Sequence, residues 1–370
     1  MLIAILLPCL AHAQSNAPIE GVKYGLLPIL SFNTDDGMLI GGEIHRYNYG
    51  GHVPFANYMK TNFMFTTAGV YNFSFSRDQV KTFNTDIRTG FDVFSSQNFG
   101  NYYLGDTDKN SFDRPRFDST SYYKFKSFTM NVGISTRWPI SFGKGIERMD
   151  IKTGIRFVYE GPWGTPEERF INEKNITGND GSFLTILELA FILERRNSEF
   201  RAQKGYLLDA GFKYAPPLVS TEHTLQNYIN AVGFLPVLEV VSVTLAGHFN
   251  FQNTIGDAPY WFKPYLGDAT RLRGFMYRRF SSDNIISYNL EIRTWLVKIP
   301  FKNIELGANF FYDGGKAFSN DNWSHIIKGH KHTLGFGGVM SIFTPDYILK
   351  YDIGFSDDGL GIYLGTGYSF

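Results

Sequence analysis

A single cysteine, Cys9, stands in 370 residues, so the chain has no pair from which to build a disulfide. An excess of charge is missing too, since 35 Lys and Arg face 35 Asp and Glu for a formal net charge of zero. Holding nucleic acid by neutralising phosphates needs a clustered basic surplus, so that class of partner is excluded. There is also no linker, no shift in composition and no internal repeat of about 20 to 50 residues, which points to one domain. Nor is there a run able to cross a membrane as a helix. The most apolar later stretch, residues 234–247, is interrupted by Pro236 and Glu239, short of the roughly 18 apolar residues required.

The first residues differ from the rest. An apolar run from Leu2 to Leu10 leads into Ala11-His12-Ala13, the small-x-small ending of a secretory signal peptide. The expectation is a signal over 1–13, a mature chain from Gln14, a short periplasmic segment over 14–23 and a transmembrane barrel over 24–370. Cys9 leaves with the signal, and Pro8 occupies the place where a lipoprotein signal carries a small residue. Only about ten residues then precede the first strand, too few for a periplasmic domain.

What fills the chain is alternation with a period of two. Over 82–94, Phe83, Thr85, Ile87, Thr89, Phe91 and Val93 share one face, and Asn84, Asp86, Arg88, Gly90 and Asp92 the other. Ile151, Thr153, Ile155, Phe157 and Tyr159 oppose Lys152, Gly154, Arg156 and Glu160, and Ile304, Leu306, Ala308, Phe310 and Tyr312 oppose Glu305, Gly307, Asn309 and Asp313. The final stretch sets Leu360, Ile362, Leu364, Thr366, Tyr368 and Phe370 against Gly361, Tyr363, Gly365, Gly367 and Ser369. Such strands meet a different solvent on each side.

Two architectures provide that: a soluble barrel or sandwich with its apolar face inward, or a membrane barrel with its apolar face against lipid. Long strands, long polar loops alternating with short turns, aromatic strand ends and the signal favour the second. The fold class expected is all-β, a transmembrane antiparallel barrel of about sixteen strands. Its wall must close, because backbone groups in hydrocarbon find no water. Long loops are expected over 95–121, 161–181, 254–284 and 314–332, with short turns at Trp138-Pro139-Ile140, Lys298-Ile299-Pro300 and Thr344-Pro345-Asp346, where proline is tolerated.

Residues 265–280, YLGDATRLRGFMYRRF, form the most unusual stretch, carrying Arg271, Arg273, Arg278 and Arg279 where the alternation stops. A loop this basic calls for acidic partners. Within it, Leu272-Arg273-Gly274-Phe275 resembles the V/L-R-G-F/Y signature of the BamA/TamA-like outer-membrane barrels, the bacterial surface antigen family, and the loop is the sixth on its side. Other segments agree in order and spacing: Pro28 to Asn33 with Asp36-Gly37 and Gly41-Gly42, the turn Arg196 to Gly205, Phe311-Tyr312-Asp313-Gly314-Gly315, and the closing strand ending Gly365-Thr366-Gly367-Tyr368-Ser369-Phe370.

The resemblance implies that the loop folds into the lumen and that Arg273 pairs there with acids on the next two strands. Alternation gives an independent check: with Ile286, Tyr288, Leu290 and Ile292 facing outward, Glu291 faces the lumen, and Asp313 does so on its own strand. The candidate site is a lumen latch of Arg273, Gly274, Phe275, Glu291 and Asp313, with Gly365, Gly367, Tyr368 and Phe370 on the closing strand. The resemblance also implies insertion or translocation of polypeptides at the outer membrane, the partners being membrane lipid, client polypeptides and a periplasmic protein that supplies POTRA-like recruitment.

Remaining constellations are weaker. Asp106, Asp108 and Asn110 begin like a calcium loop, yet Ser111 and Phe117 stand where that loop needs Gly and Glu. His330 and His332 lack a third metal ligand, and no Ser-His-acid set or G-x-S-x-G is present. No metal, cofactor or enzymatic activity is expected. The rival readings are a passive pore or structural barrel, and a surface receptor or adhesin working through loop 95–121.

Overall fold

The computed structural model describes residues 21–33, 37–52, 54–67, 69–107, 112–141, 148–173, 176–238, 242–300 and 304–370. The proposed signal peptide, Asp108 and Asn110 lie outside them. Sixteen strands form one antiparallel sheet in which each pairs with its chain neighbours. Its first half comprises β1 (Val22–Asn33), β2 (Gly37–Asn48), β3 (Asn57–Thr66), β4 (Tyr71–Gln79), β5 (Arg88–Tyr102), β6 (Lys124–Ser141), β7 (Arg148–Pro162) and β8 (Ser182–Glu194). It continues through β9 (Gly205–Ala215), β10 (Thr224–Leu238) and β11 (Val243–Gly256). A small hairpin, β12 (Tyr265–Leu266) with β13 (Phe280–Ser281), lies inside the next loop. The wall resumes with β14 (Asn284–Ile299), β15 (Ile304–Phe318), β16 (Lys331–Ile342), β17 (Thr344–Ser356) and β18 (Gly359–Thr366).

Burial decides between the two architectures. On β14, Leu290, Ile292 and Leu296 are 50%, 51% and 54% exposed, while Asn289, Glu291 and Arg293 are 1%, 1% and 3% exposed. Apolar side chains outside and charged ones inside is the reverse of a soluble core and matches a wall set in lipid.

The two ends of the sheet face each other without a shared ladder. Among the described residues β1 pairs only with β2, and β18 only with β17. Side chains bridge the gap: the Thr366 hydroxyl bonds Glu43 of β2, and Lys60 Nζ lies 3.3 Å from it. Tyr347 of β17 lies over Gly25 of β1, where an added Cβ would sit 2.3 Å from the ring. Glycine is required there for a close approach.

Several local expectations are corrected. Residues 82–87 are not strand: Thr82–Asn84 is a 3-10 turn with Phe83 at φ 54 and 92% exposed, and β5 starts at Arg88. The alternation there continues by accident of composition into the turn. Trp138-Pro139-Ile140 belongs to β6, where a bulge between Pro139 and Ser141 absorbs the proline. Thr344-Pro345-Asp346 likewise opens β17, the chain reversing at Phe343 (φ 68). β15 runs on to Phe318, four residues beyond the expected loop start at Gly314.

The closing strand is shorter than expected. β18 ends at Thr366, keeping Gly365 in the wall, and Gly367 turns the chain at φ 74. Tyr368 and Phe370 therefore are not wall residues. They enter the lumen, where Tyr368 packs near Trp295, Val339 and Ile348, and the Phe370 ring stacks on His248 at 5.1 Å.

At the opposite end from the long loops, turn 195–204 also folds inward. Arg88 makes paired hydrogen bonds to Asp78 (2.8 and 2.5 Å) and to Glu199 of the turn (2.6 and 2.9 Å). Phe200 joins Tyr47, Phe55 and Tyr58, and Arg201 pairs with Glu305 at 2.5 Å while stacking on Trp295. One ten-residue turn thus touches β2, β3, β5, β14 and β15 across the lumen.

Candidate functional site

Loop 257–283 descends into the barrel because its apolar residues have a place there. Leu266, Leu272, Phe275 and Phe280 cluster with Ile285 of β14 and Ala317 of β15, all nearly inaccessible. Arg278 donates to the Tyr260 carbonyl at 3.0 Å, Arg279 pairs with Asp358 at 2.8 Å and Arg271 with Asp268 at 3.0 Å. The Arg279 pair ties the loop to the turn between β17 and β18, the Arg278 and Arg271 contacts brace the loop internally, and Arg273 is left at the centre.

Two positive-φ residues shape the turn at the tip, Leu272 (φ 56) and Gly274 (φ 100). The wall opposite is made of glycine: a Cβ on Gly354 would lie 2.9 Å from the Arg273 carbonyl, and one on Gly361 2.9 Å from Gly274 Cα. Tyr363 of β18 closes over the tip, accepting from the Gly274 N–H at 2.7 Å and donating to the Phe275 carbonyl at 3.3 Å.

The Arg273 guanidinium is fully buried. Its Nε and one terminal nitrogen grip Asp313 at 2.8 and 2.7 Å, and its own backbone N–H bonds the same carboxylate at 3.1 Å. The other terminal nitrogen lies 2.7 Å from Glu291, close but not aligned for a hydrogen bond, and bonds Asp352 at 3.0 Å. Phe311 lies 3.5 Å beneath the fork. A planar fork held by two carboxylate oxygens and an aromatic face is a geometry that arginine fills and lysine does not.

Around it, charge is balanced. Arg293 bonds Glu291 at 2.7 Å, Lys350 bonds Asp352 at 3.0 Å, and Asn289 and Asn309 donate to Asp313 and Asp352. Three basic side chains meet three acidic ones in this network, the arrangement that offsets the cost of burying charge. For Arg273 burial alone would lower the pKa; the hydrogen bonds it donates to Asp313 and the charges of Glu291, Asp313 and Asp352 override that and raise it.

Arg273, Gly274, Phe275, Glu291 and Asp313 are therefore brought together. Of the closing-strand candidates, Gly365 stays apart in the wall, while Tyr368 and Phe370 reach the network from its far side: Arg293 lies over both rings, at 4.0 and 4.5 Å, and donates to the Phe370 carbonyl. Sequence reasoning missed Asp352, Lys350, Tyr363 and Ser369, the last within 3.3 Å of the Arg273 guanidinium. The signal for two of them was present, since Lys350 and Asp352 alternate with Leu349, Tyr351, Ile353 and Phe355. Asp106 is bound to Lys263 at 3.2 Å and Ser282 at 2.8 Å, and no cluster of three metal-ligating side chains occurs among the described residues.

A family model described as the Omp85 superfamily domain matches residues 55–370. Among solved structures, the chain is similar to BamA from Haemophilus ducreyi lacking POTRA domains 1-3, with TM-score 0.55 and 13% identity over 94% of this chain and 69% of that one. It is also similar to CdiB from Escherichia coli (TM-score 0.61, 14% identity, 96% of this chain and 63% of that one) and CdiB from Acinetobacter baumannii (TM-score 0.53, 13% identity, 95% and 60%). The chain thus spans less than two thirds of either CdiB, and at these identities the likeness is one of fold. No curated protein matches the sequence.

Proposed function

Because the chain belongs to the Omp85 superfamily, we propose that it inserts or translocates polypeptides at the bacterial outer membrane, using the seam between β1 and β18. The observation that carries this reading is that no ladder joins those strands among the described residues, combined with a lumen filled from both ends. With loop 257–283 in one mouth and turn 195–204 in the other, the interior offers little room for a chain. The seam offers unpaired backbone groups, which in hydrocarbon are costly and are satisfied by adding a strand.

In this reading Arg273, Gly274, Phe275, Glu291 and Asp313 are the latch that holds the loop in place while the wall yields. Gly365 keeps the seam strand thin, and Gly367 turns its end inward. Recruitment of clients falls to a periplasmic partner, and the outer-membrane lipid is the solvent of the wall.

The test is reconstitution of the full chain in lipid vesicles. It should show no large steady conductance and should speed the insertion of a second, unfolded barrel protein, with Arg273→Ala slowing that insertion while the barrel itself stays folded. A large steady conductance without such acceleration would select the passive pore instead. Ligand binding abolished by trimming loop 95–121 would select the receptor.

A further inference from the structure

On its outer face, at the end that bears the long loops, the wall carries a polar cluster that none of the latch chemistry uses. Tyr288 of β14, Tyr312 and Lys316 of β15 and His332 of β16 lie at even-numbered positions. They share that direction with Leu290, Ile292, Phe310, Leu334 and Phe336, which are 50%, 51%, 62%, 64% and 42% exposed toward lipid. We propose that this cluster, completed by loop 319–330, binds the phosphate of an outer-leaflet lipid headgroup.

The site is built rather than incidental. Gly314 leaves room for Tyr288 to lie flat on the wall, since a Cβ there would come within 2.2 Å of the ring. Tyr288 and Tyr312 lie 6.2 Å apart, Tyr288 and His330 5.7 Å, Tyr312 and His332 5.7 Å, and His330 and His332 6.4 Å, so four rings tile one surface. The His330 Nε2 donates to the Ile326 carbonyl at 2.8 Å, which fixes that ring. Tyr312 bonds His332 Nδ1 at 2.7 Å. When that nitrogen accepts, the exposed Nε2–H of His332 is left as an outward donor.

Loop 319–330 bends over the outer face because Trp323 packs on Phe251 and Phe318. On the same loop Ile327 is 81% exposed. The bend also brings the Lys328 carbonyl within 2.7 Å of Lys316 Nζ, so the exposed Lys328 leaves the loop next to Lys316 and two residues before His330. The segment 319–330 has one carboxylate, Asp321, seven residues before Lys328. Aromatic rings, exposed aliphatic side chains and lysines at the rim of a barrel fit a molecule with acyl chains below and an anion above. A free anion would have no use for Trp323 and Ile327. The occupant is therefore a phosphorylated lipid.

The experiment uses the full chain, delipidated in detergent and followed by native mass spectrometry with four probes: diphosphorylated lipid A, its dephosphorylated form, phosphatidylcholine and inorganic phosphate. Diphosphorylated lipid A should bind best. At about 1 kcal/mol for each lysine near an anionic surface, Lys316→Gln with Lys328→Gln should weaken it roughly thirtyfold and either alone about fivefold. Lys316→Arg with Lys328→Arg should preserve binding, as should Lys81→Gln at the opposite end. If the double glutamine variant fails to fold, the single variants carry the comparison. Equal binding of the dephosphorylated lipid, unchanged binding in the glutamine variants, or displacement of the lipid by inorganic phosphate at comparable concentration would each overturn the assignment.

Discussion

At Arg273, five hydrogen-bond donors are spent on carboxylates and one hydroxyl, in a place with no measurable exposure. Removing one partner of such a buried set costs about 3 to 5 kcal/mol, because the remaining charges stay behind without compensation. Arg273→Ala should therefore release loop 257–283 to added protease while the barrel keeps its heat-modifiable mobility on gels. Arg273→Lys should release it as well, since one ammonium cannot reproduce the two-point grip on Asp313. Between the acids, Asp313→Asn should loosen the loop more than Asp352→Asn, because Asp313 takes three of those donors, the backbone N–H included. That Arg273 pairs with acids of the next two strands was implied by the family resemblance, and parity added that Glu291 and Asp313 face the lumen. Parity places Asp352 on the lumen face as well, but its strand is remote in sequence from the motif, and only the curvature of the sheet brings it under the guanidinium.

Between residues and the whole lies the inward turn 195–204. Its motif could be read as a turn, but no pattern in ten residues says that a turn folds toward the lumen rather than away; that depends on Arg88 and Glu305, each about a hundred positions distant. Burial alone would raise the pKa of Glu199, yet Arg88 pulls it down from 4.5 to about 2. A carboxylate whose folded pKa is depressed adds stability above its unfolded pKa and loses it as pH falls through the folded value. The shift is worth about 3 kcal/mol. Docking of the turn should hold at neutral pH and fail between roughly pH 4.5 and 2. Hydrogen exchange at 195–204 across that range should rise, and Glu199→Gln should show fast exchange already at pH 7; exchange that ignores pH would refute the pairing. The inward course of 367–370 was hidden for a related reason, since Tyr368 and Phe370 keep the parity of wall residues and only the positive φ of Gly367 takes them out of the sheet.

Across the molecule, the sixteen strands, the outward apolar faces and the placing of the basic loop followed from a period of two and from turn chemistry, which act locally. A weakly paired seam between the first strand and the last was implied by the family resemblance and not by alternation, which reports faces and says nothing of which ladder is left unmade. Amides of β1 and β18 should exchange well before those of β14 and β15, which are paired on both sides; uniform protection around the wall would argue for a hydrogen-bonded closure. The segment that leaves β18 carries Ser369 to within 3.3 Å of the guanidinium that fastens the loop. A guest strand that drew this segment back into the sheet would remove one contact from that guanidinium, so seam occupancy and loop affinity are linked quantities. By reciprocity, whatever tightens the loop from outside must disfavour the guest by the same factor, giving the cell surface a thermodynamic handle on an event at the wall.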